Sequence, residues 1–163
     1  IYLMSLLSSV STVEFLFSIL DKQNASHRVE AIYALGKYKD LDIAVILRSF
    51  LNSKVIAEQI NAAIALWNFK HFRDESKYSV LSFIYSEDPV RMSHGLFGIG
   101  ELLMRKEKYL ALKYLESEDV NLRMNSAIAL AKFWDKASIP VLIDLLLSNN
   151  DEVEEYKMFV SQC

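Results

Sequence analysis

Three of the four glycines in the chain, Gly95, Gly98 and Gly100, stand close together in the segment "HGLFGIGEL". Such a cluster binds phosphate when it forms the turn between a strand and a helix, because its backbone N–H groups then face the anion. Here the same positions hold mostly alanine in similar segments elsewhere in the chain. We therefore predict that the three glycines lie inside a helix, where they allow a neighbouring helix to approach closely.

Other residues that could do chemistry lack the necessary spacing. The only Gly-Lys pair, Gly36-Lys37, is followed by tyrosine, so the phosphate loop GxxxxGK[ST] is absent. None of the histidines has another histidine four residues away or belongs to an HExxH motif. The single cysteine is the last residue, and no GxSxG motif occurs. We expect no metal site, no cofactor and no catalytic residue. The histidines in question are His27, His71 and His94.

The composition is that of an ordered globular protein. Hydrophobic residues make up 52% and charged residues 24% of the 163 residues, which suffices for one domain with a core. The net charge of −3 provides no global attraction for nucleic acid or anionic lipid. The apolar start of the chain contains Glu14 and several serines and lacks a basic leader, so we expect no membrane insertion. We predict a single domain over 1–163, located in the reducing cytoplasm, and leave open that it is a segment of a longer protein.

The chain is built from a repeat. Four segments, which we call the B segments, align without internal gaps, and their anchor residues are 31, 33 and 31 positions apart. A second set, the A segments, precedes them, and the serines that close these segments are 33, 31 and 31 positions apart. Two independent sets of residues therefore give the same repeat length. Further segments fit before the first and after the last, which makes about five helix pairs. The B segments start at Arg28, Gln59, Met92 and Arg123, and their anchors are Leu35, Leu66, Ile99 and Leu130.

Both kinds of segment have the periodicity of a helix. The A segments carry apolar residues at spacings of three and four, and the B segments are small or apolar on almost every side. No single pair can bury such faces, whereas a stack of pairs can, so we predict an all-α solenoid. Polar residues recur five positions before and two positions after each B anchor, and they form one line along each helix. This line, the ridge, consists of Glu30, Lys37, Asn61, Asn68, His94, Glu101, Asn125 and Lys132.

The segment from Asp119 to Lys132, "DVNLRMNSAIALAK", resembles the HEAT repeat, and most of all the short subtype named after phycobilisome lyases. The first repeat matches through Arg28 and Gly36, whereas the second departs from the pattern with Gln59 and Trp67. The resemblance implies a right-handed superhelix of antiparallel helix pairs. It also implies a structural pairing of the turn aspartate Asp119 with Arg123.

We expect the function to be that of a non-catalytic scaffold that binds a protein or peptide on the concave B-helix face, through the ridge. Trp67 and Gly100 mark a candidate groove on that face. The repeat subtype suggests an alternative, a lyase-like or chaperone-like subunit acting on a tetrapyrrole-bearing protein. A remote alternative is a HEAT-like DNA glycosylase, suggested by Trp67 and by Trp134-Asp135, but the charge of the ridge is balanced and disfavours nucleic acid.

Overall fold

The structure of the chain is a computed structural model that describes residues 10–22 and 24–147. Within these ranges the chain is helical and contains no strand, which confirms the predicted all-α class. The helices are α1 (Val10–Leu20), α2 (Ala25–Leu35), α3 (Leu41–Ser49), α4 (Ile56–Leu66), α5 (Arg73–Ile84), α6 (Pro89–Glu101), α7 (Lys108–Tyr114), α8 (Val120–Lys132) and α9 (Ser138–Leu147). The fifth B segment, expected from Asp151, lies outside the described residues.

Side-chain caps mark the beginning of the B helices α6 and α8. Asp88 Oδ1 accepts the N–H of Val90 at 2.9 Å, and Pro89 occupies the first turn of α6, where a missing N–H costs least. Asp119 Oδ1 accepts the N–H groups of Asn121 and Leu122 at 2.9 and 3.0 Å at the start of α8. A carboxylate directly before a helical segment is a favoured N-cap, so the sequence alone predicts both caps, and both are formed.

The predicted pairing of Asp119 with Arg123 is wrong. Asp119 Oδ1 accepts hydrogen bonds from backbone N–H groups at the start of α8, which have no acceptor within the helix. The guanidinium of Arg123 donates instead to the backbone carbonyl of Ser117, before the helix begins. The arginine therefore holds the turn that leads into α8 rather than the aspartate that caps it.

The chain divides into two compact units, Ile1–Val80 and Leu81–Cys163, with the division inside α5. In unit 1, helix α2 packs against α1, α3 and α4, and the side chains between them form the core. The prediction of a single domain is not decided by this division and stays a prediction. The fully buried residues of this core include Leu16, Ile32, Leu35, Leu47 and Leu66.

In unit 2, helix α8 is the central element, because it packs against α6, α7 and α9. Met124, Ile128 and Leu145 form a cluster between α8 and α9, while Leu96 and Ile99 are buried on α6. In both units a B helix thus lies against the next B helix along the chain, α2 against α4 and α6 against α8. None of the described helices is long and apolar enough to cross a membrane.

All three glycines of the cluster lie inside a helix, as predicted, and two of them, Gly95 and Gly100, lie at points of close helix contact. Gly95 and Gly100 belong to α6, and a Cβ atom at Gly95 would lie 2.7 Å from the backbone nitrogen of Ile84 on α5. A Cβ at Gly100 would lie 2.9 Å from the Cα of Ala129 on α8. These distances are too short for any side chain, so the packing of α6 requires glycine.

The hydroxyl of Ser126 on α8 is buried and has no hydrogen-bond partner in the described part of the chain. Ala31 and Ala62 stand at the corresponding positions of α2 and α4. Because an unsatisfied buried hydroxyl destabilises the fold, Ser126→Ala is expected to raise the free energy of unfolding by about 1 kcal/mol in urea titrations. Ser76→Ala is the matched control. Its equally buried hydroxyl donates to the Ala63 carbonyl at 2.6 Å, so its removal should lower stability. A loss of stability in Ser126→Ala would contradict this account.

Candidate functional site

All eight ridge residues have exposed or half-buried side chains. The prediction that each pair lies along one B helix holds for α6 and α8, but Lys37 and Asn68 stand in the turns that follow α2 and α4, because these helices end at Leu35 and Leu66. The ridge residues are divided equally between the two units. The unit-1 ridge comprises Glu30, Lys37, Asn61 and Asn68, and the unit-2 ridge comprises His94, Glu101, Asn125 and Lys132.

The unit-1 ridge is held mainly by contacts with residues three or four positions earlier in the chain. The Lys37 ammonium lies 4.4 Å above the ring centroid of Tyr33 and 3.2 Å from its hydroxyl. Asn61 Nδ2 donates to the Ala57 carbonyl one turn earlier at 2.8 Å. These contacts restrain the Lys37 ammonium and the Asn61 amide.

The unit-2 ridge is held by contacts that cross from α6 to α8. Asn125 Nδ2 on α8 donates to the Ser93 hydroxyl on α6 at 2.7 Å, and Ser93 donates in turn to the Asn121 carbonyl at 3.3 Å. The Lys132 ammonium forms an ion pair with the Glu101 carboxylate of α6. The two helices therefore fix three ridge side chains, those of Glu101, Asn125 and Lys132, in defined positions.

His94 is hydrogen-bonded within its helix. Its Nδ1 lies 2.8 Å from the Val90 carbonyl, so Nδ1 carries the hydrogen and Nε2 is the acceptor in the neutral ring. No group of three or more histidine, cysteine, aspartate or glutamate side chains within 10–22 and 24–147 is arranged to hold a metal ion. Nε2 of His94 can thus accept a hydrogen bond from a partner at the surface.

The two residues of the candidate groove fall in different units, and the groove itself stays a prediction. Trp67 is half-buried, and Arg73 lies with its guanidinium 5.8 Å from the indole centroid while its Nε donates to the Trp67 carbonyl at 3.2 Å. Gly100 is buried, and the position that its Cβ would take lies 2.9 Å from the Cα of Ala129 on α8. The space left by the missing side chain at Gly100 is therefore filled by α8.

Asp135, which together with Trp134 suggested glycosylase chemistry, is an anion in an ion pair. Lys108 Nζ donates to its carboxylate at 2.9 Å, and the Ala137 N–H donates at 3.0 Å. The hydrogen bond from Lys108, followed by that from the backbone, lowers the pKa of Asp135 below its ordinary value. A carboxylate with a lowered pKa is a weaker base, so this arrangement does not favour proton abstraction.

A shallow cavity of about 530 Å³ lies on α3 and α5 of unit 1, away from the ridge helices. Arg48 at its edge contacts both carboxylate oxygens of Glu75, at 2.9 and 3.0 Å. The two charged side chains of the cavity thus form one partly exposed ion pair. The lining residues of the cavity are Val45, Arg48, Ser49, Leu51, Asn52, Glu75, Tyr78 and Ser79.

Three features of the surface were not predicted from the sequence. Ser93 bridges the two helices of the unit-2 ridge, and Leu103 and Trp134 have positive φ angles of 50° and 61°. A signal for the last two exists in the repeat, because each stands four positions after its B anchor, where the first two repeats have Lys39 and Lys70. The change from lysine to a large apolar residue marks these turns as different.

No family model matches the chain, and no curated protein matches it. Among solved structures, the crystal structure of an engineered protein from the Northeast Structural Genomics Consortium is similar, with 20% sequence identity and a TM-score of 0.40. The alignment covers 89% of this chain and 76% of the engineered one. A likeness this distant carries no conclusion about fold or function, and the HEAT resemblance stays a prediction.

Proposed function

We propose that the chain is a right-handed α-solenoid of about five HEAT-like helix pairs that acts as a non-catalytic scaffold for a protein or peptide partner. The solenoid is supported by the contacts of α2 with α4 and of α6 with α8, which place consecutive B helices side by side within each unit. The partner binds along the ridge. The observation that carries the proposal is the unit-2 ridge, where polar side chains on mostly buried helices are fixed in place at the surface.

The chemistry of the ridge suits a polar protein surface. Its charged members are two acids and two bases, Glu30 and Glu101 against Lys37 and Lys132, so its formal charge is balanced. Asparagine amides both donate and accept hydrogen bonds, as the backbone of a peptide does. Nucleic acid would require clustered lysine and arginine to displace its counterions.

The fixed positions of the side chains favour binding. The bond from Asn125 to Ser93 and the ion pair of Lys132 with Glu101 restrict these side chains before a partner arrives. Each rotamer-rich side chain that is ordered only on binding costs about 0.5–1.5 kcal/mol, so restricting it beforehand reduces the loss of entropy. The unit-2 ridge is therefore the part of the surface best prepared for recognition.

The test exchanges the charges of the ridge ion pair. The double variant Glu101→Lys/Lys132→Glu keeps the net charge and allows the pair to re-form, but it reverses the polarity shown to a partner. The wild-type protein captures its partners from extracts of its source cell. The captured amount of each partner is expected to be about tenfold lower, or more, with this variant, because disrupting a charge pair at an interface weakens binding by at least this much. Quantitative mass spectrometry of the captured proteins measures the change.

The matched control exchanges an ion pair that lies off the ridge. Arg48→Glu/Glu75→Arg reverses the pair between α3 and α5 and likewise conserves net charge. Its captured partners are expected to match those of the wild type. The ridge proposal is wrong if the ridge exchange retains every partner, or if both exchanges lose the same ones.

A further inference from the structure

Leu103 and Trp134 occupy backbone positions that favour glycine. Their φ angles of 50° and 61° are the only positive values among the non-glycine residues in the described part of the chain. The N–H of Leu103 donates to the Gly100 carbonyl at 3.2 Å, and the N–H of the next residue donates to the Ile99 carbonyl at 3.0 Å. The same pattern follows α8. There the N–H of Trp134 donates to the Ala131 carbonyl at 2.8 Å, and the N–H of the next residue donates to the Leu130 carbonyl at 2.9 Å. Both turns are helix ends of the kind in which glycine usually stands, because a side chain there is strained.

Packing does not account for these two side chains. Leu103 is 54% exposed and Trp134 is 86% exposed, so neither gains much from burial within unit 2. The strained backbone of such a residue lowers the stability of the fold, and its exposed apolar side chain lowers solubility. The fold can end a B helix without such a turn, since α2 and α4 end two positions earlier relative to their anchors and no described residue of unit 1 has a positive φ. Lys39 and Lys70 hold the aligned sequence positions there.

The two turns are joined to each other. Arg105, just after Leu103, donates from Nη1 to the carbonyl of Phe133, just before Trp134, at 3.2 Å. Lys108 forms an ion pair with Asp135 at 2.9 Å across the same turns. Leu103 and Trp134 therefore project from one continuous piece of surface, which we call the turn patch.

The turn patch is basic although the chain as a whole is acidic. Residues 103–108 and 133–136 carry four basic side chains against two acidic ones, while the chain has a net charge of −3. Arg105, Lys106 and Lys136 are exposed. The patch thus combines two exposed apolar side chains with a local positive charge. The residues that define it are Leu103, Arg105, Lys106, Trp134 and Lys136.

We propose that the turn patch binds an acidic peptide segment that carries leucine or aromatic side chains, supplied by a partner protein. Tryptophan and arginine are the residues most enriched among those that dominate protein interfaces. A lipid surface would instead require a broad apolar face, whereas Leu103 and Trp134 stand among hydrogen-bonded polar groups. The inference does not depend on the proposed ridge function, because no ridge residue belongs to the turn patch.

The experiment selects ligands for the purified protein from a random dodecapeptide phage library. Peptides rich in aspartate or glutamate together with leucine or aromatic residues are expected. Their affinity, measured by fluorescence anisotropy, should fall about tenfold or more in Trp134→Gly and in Leu103→Gly. Tyr78→Ala, which removes another highly exposed aromatic side chain, on α5, should bind as the wild type does.

A second readout separates binding from folding. Because glycine relieves the strained turn, Trp134→Gly is expected to raise the thermal unfolding midpoint by about 2–4 °C while it weakens binding. The proposal is overturned if the selected peptides lack acidic and apolar residues, or if they bind Trp134→Gly as tightly as the wild type. A lowered midpoint would also overturn it, since Trp134 would then serve the fold. The patch would instead be assigned to a membrane if no peptide is selected and the wild-type protein, but not Trp134→Gly, sediments with phosphatidylserine vesicles.

Discussion

Arg28→Met is expected to lower the free energy of unfolding by about 3–5 kcal/mol, because it leaves a buried carboxylate without its partner. Arg28 donates to Glu58 Oε1 from Nε at 2.7 Å and from Nη2 at 2.6 Å, joining α2 to α4. The Glu58 side chain is only 3% exposed, and the Ser53 hydroxyl occupies its other oxygen. Water can therefore do little to replace the lost guanidinium. Urea denaturation followed by circular dichroism measures the change.

Two further variants show whether the loss comes from the buried charge. Arg28→Met/Glu58→Gln removes the charge from both partners and is expected to recover part of the stability. Arg48→Met breaks the exposed pair with Glu75 and is expected to cost less than about 1 kcal/mol. If Arg28→Met costs no more than Arg48→Met, the buried pair does not have the structural role assigned to it.

Gly95→Val is expected to destabilise unit 2 by about 3 kcal/mol or more, because the space beside Gly95 is already filled. A Cβ atom there would lie 2.5 Å from the Ile84 side chain and 2.7 Å from the Ile84 backbone nitrogen. The backbone contact cannot be relieved by a change of rotamer, so α5 and α6 would have to separate. The gain in helix propensity from glycine to valine is below about 0.5 kcal/mol and does not offset this cost.

Gly95→Ala and Ala131→Val complete the series. Gly95→Ala adds only the clashing Cβ and is expected to have a smaller cost of the same sign, despite alanine's better helix propensity. Ala131→Val introduces the same β-branched side chain at a half-buried position of α8 and should change stability by less than about 1 kcal/mol. Equal thermal midpoints for Gly95→Val and Ala131→Val would show that close packing at Gly95 is unimportant.

The features that were predicted correctly from the sequence depend on local pattern. The helical placement of Gly95 and Gly100 followed from alignment with repeats that carry mostly alanine or glycine at the same positions. The caps at Asp88 and Asp119 followed from the chemistry of a carboxylate before a helix. Such features depend on neighbours in sequence, and one repeat informs the next.

The features that were missed depend on contacts between distant segments. Arg28 pairs with a residue thirty positions away, and Glu58 lies one position before the B segment in which polar residues were sought. The pairing of Asp119 with Arg123 was wrong because the helix start competes for the carboxylate. Spacing places residues on the same face, but it does not decide which of several donors a carboxylate accepts from.

The ridge proposal is tested most directly by photo-crosslinking from single positions. Benzoylphenylalanine placed at Asn68 on the unit-1 ridge, or at His94 on the unit-2 ridge, is expected to form a covalent adduct with the captured partner. The same group at Tyr78, which is 76% exposed on α5 and lies off the ridge, is expected to form none. Adducts from Tyr78 together with none from Asn68 and His94 would show that the partner binds elsewhere.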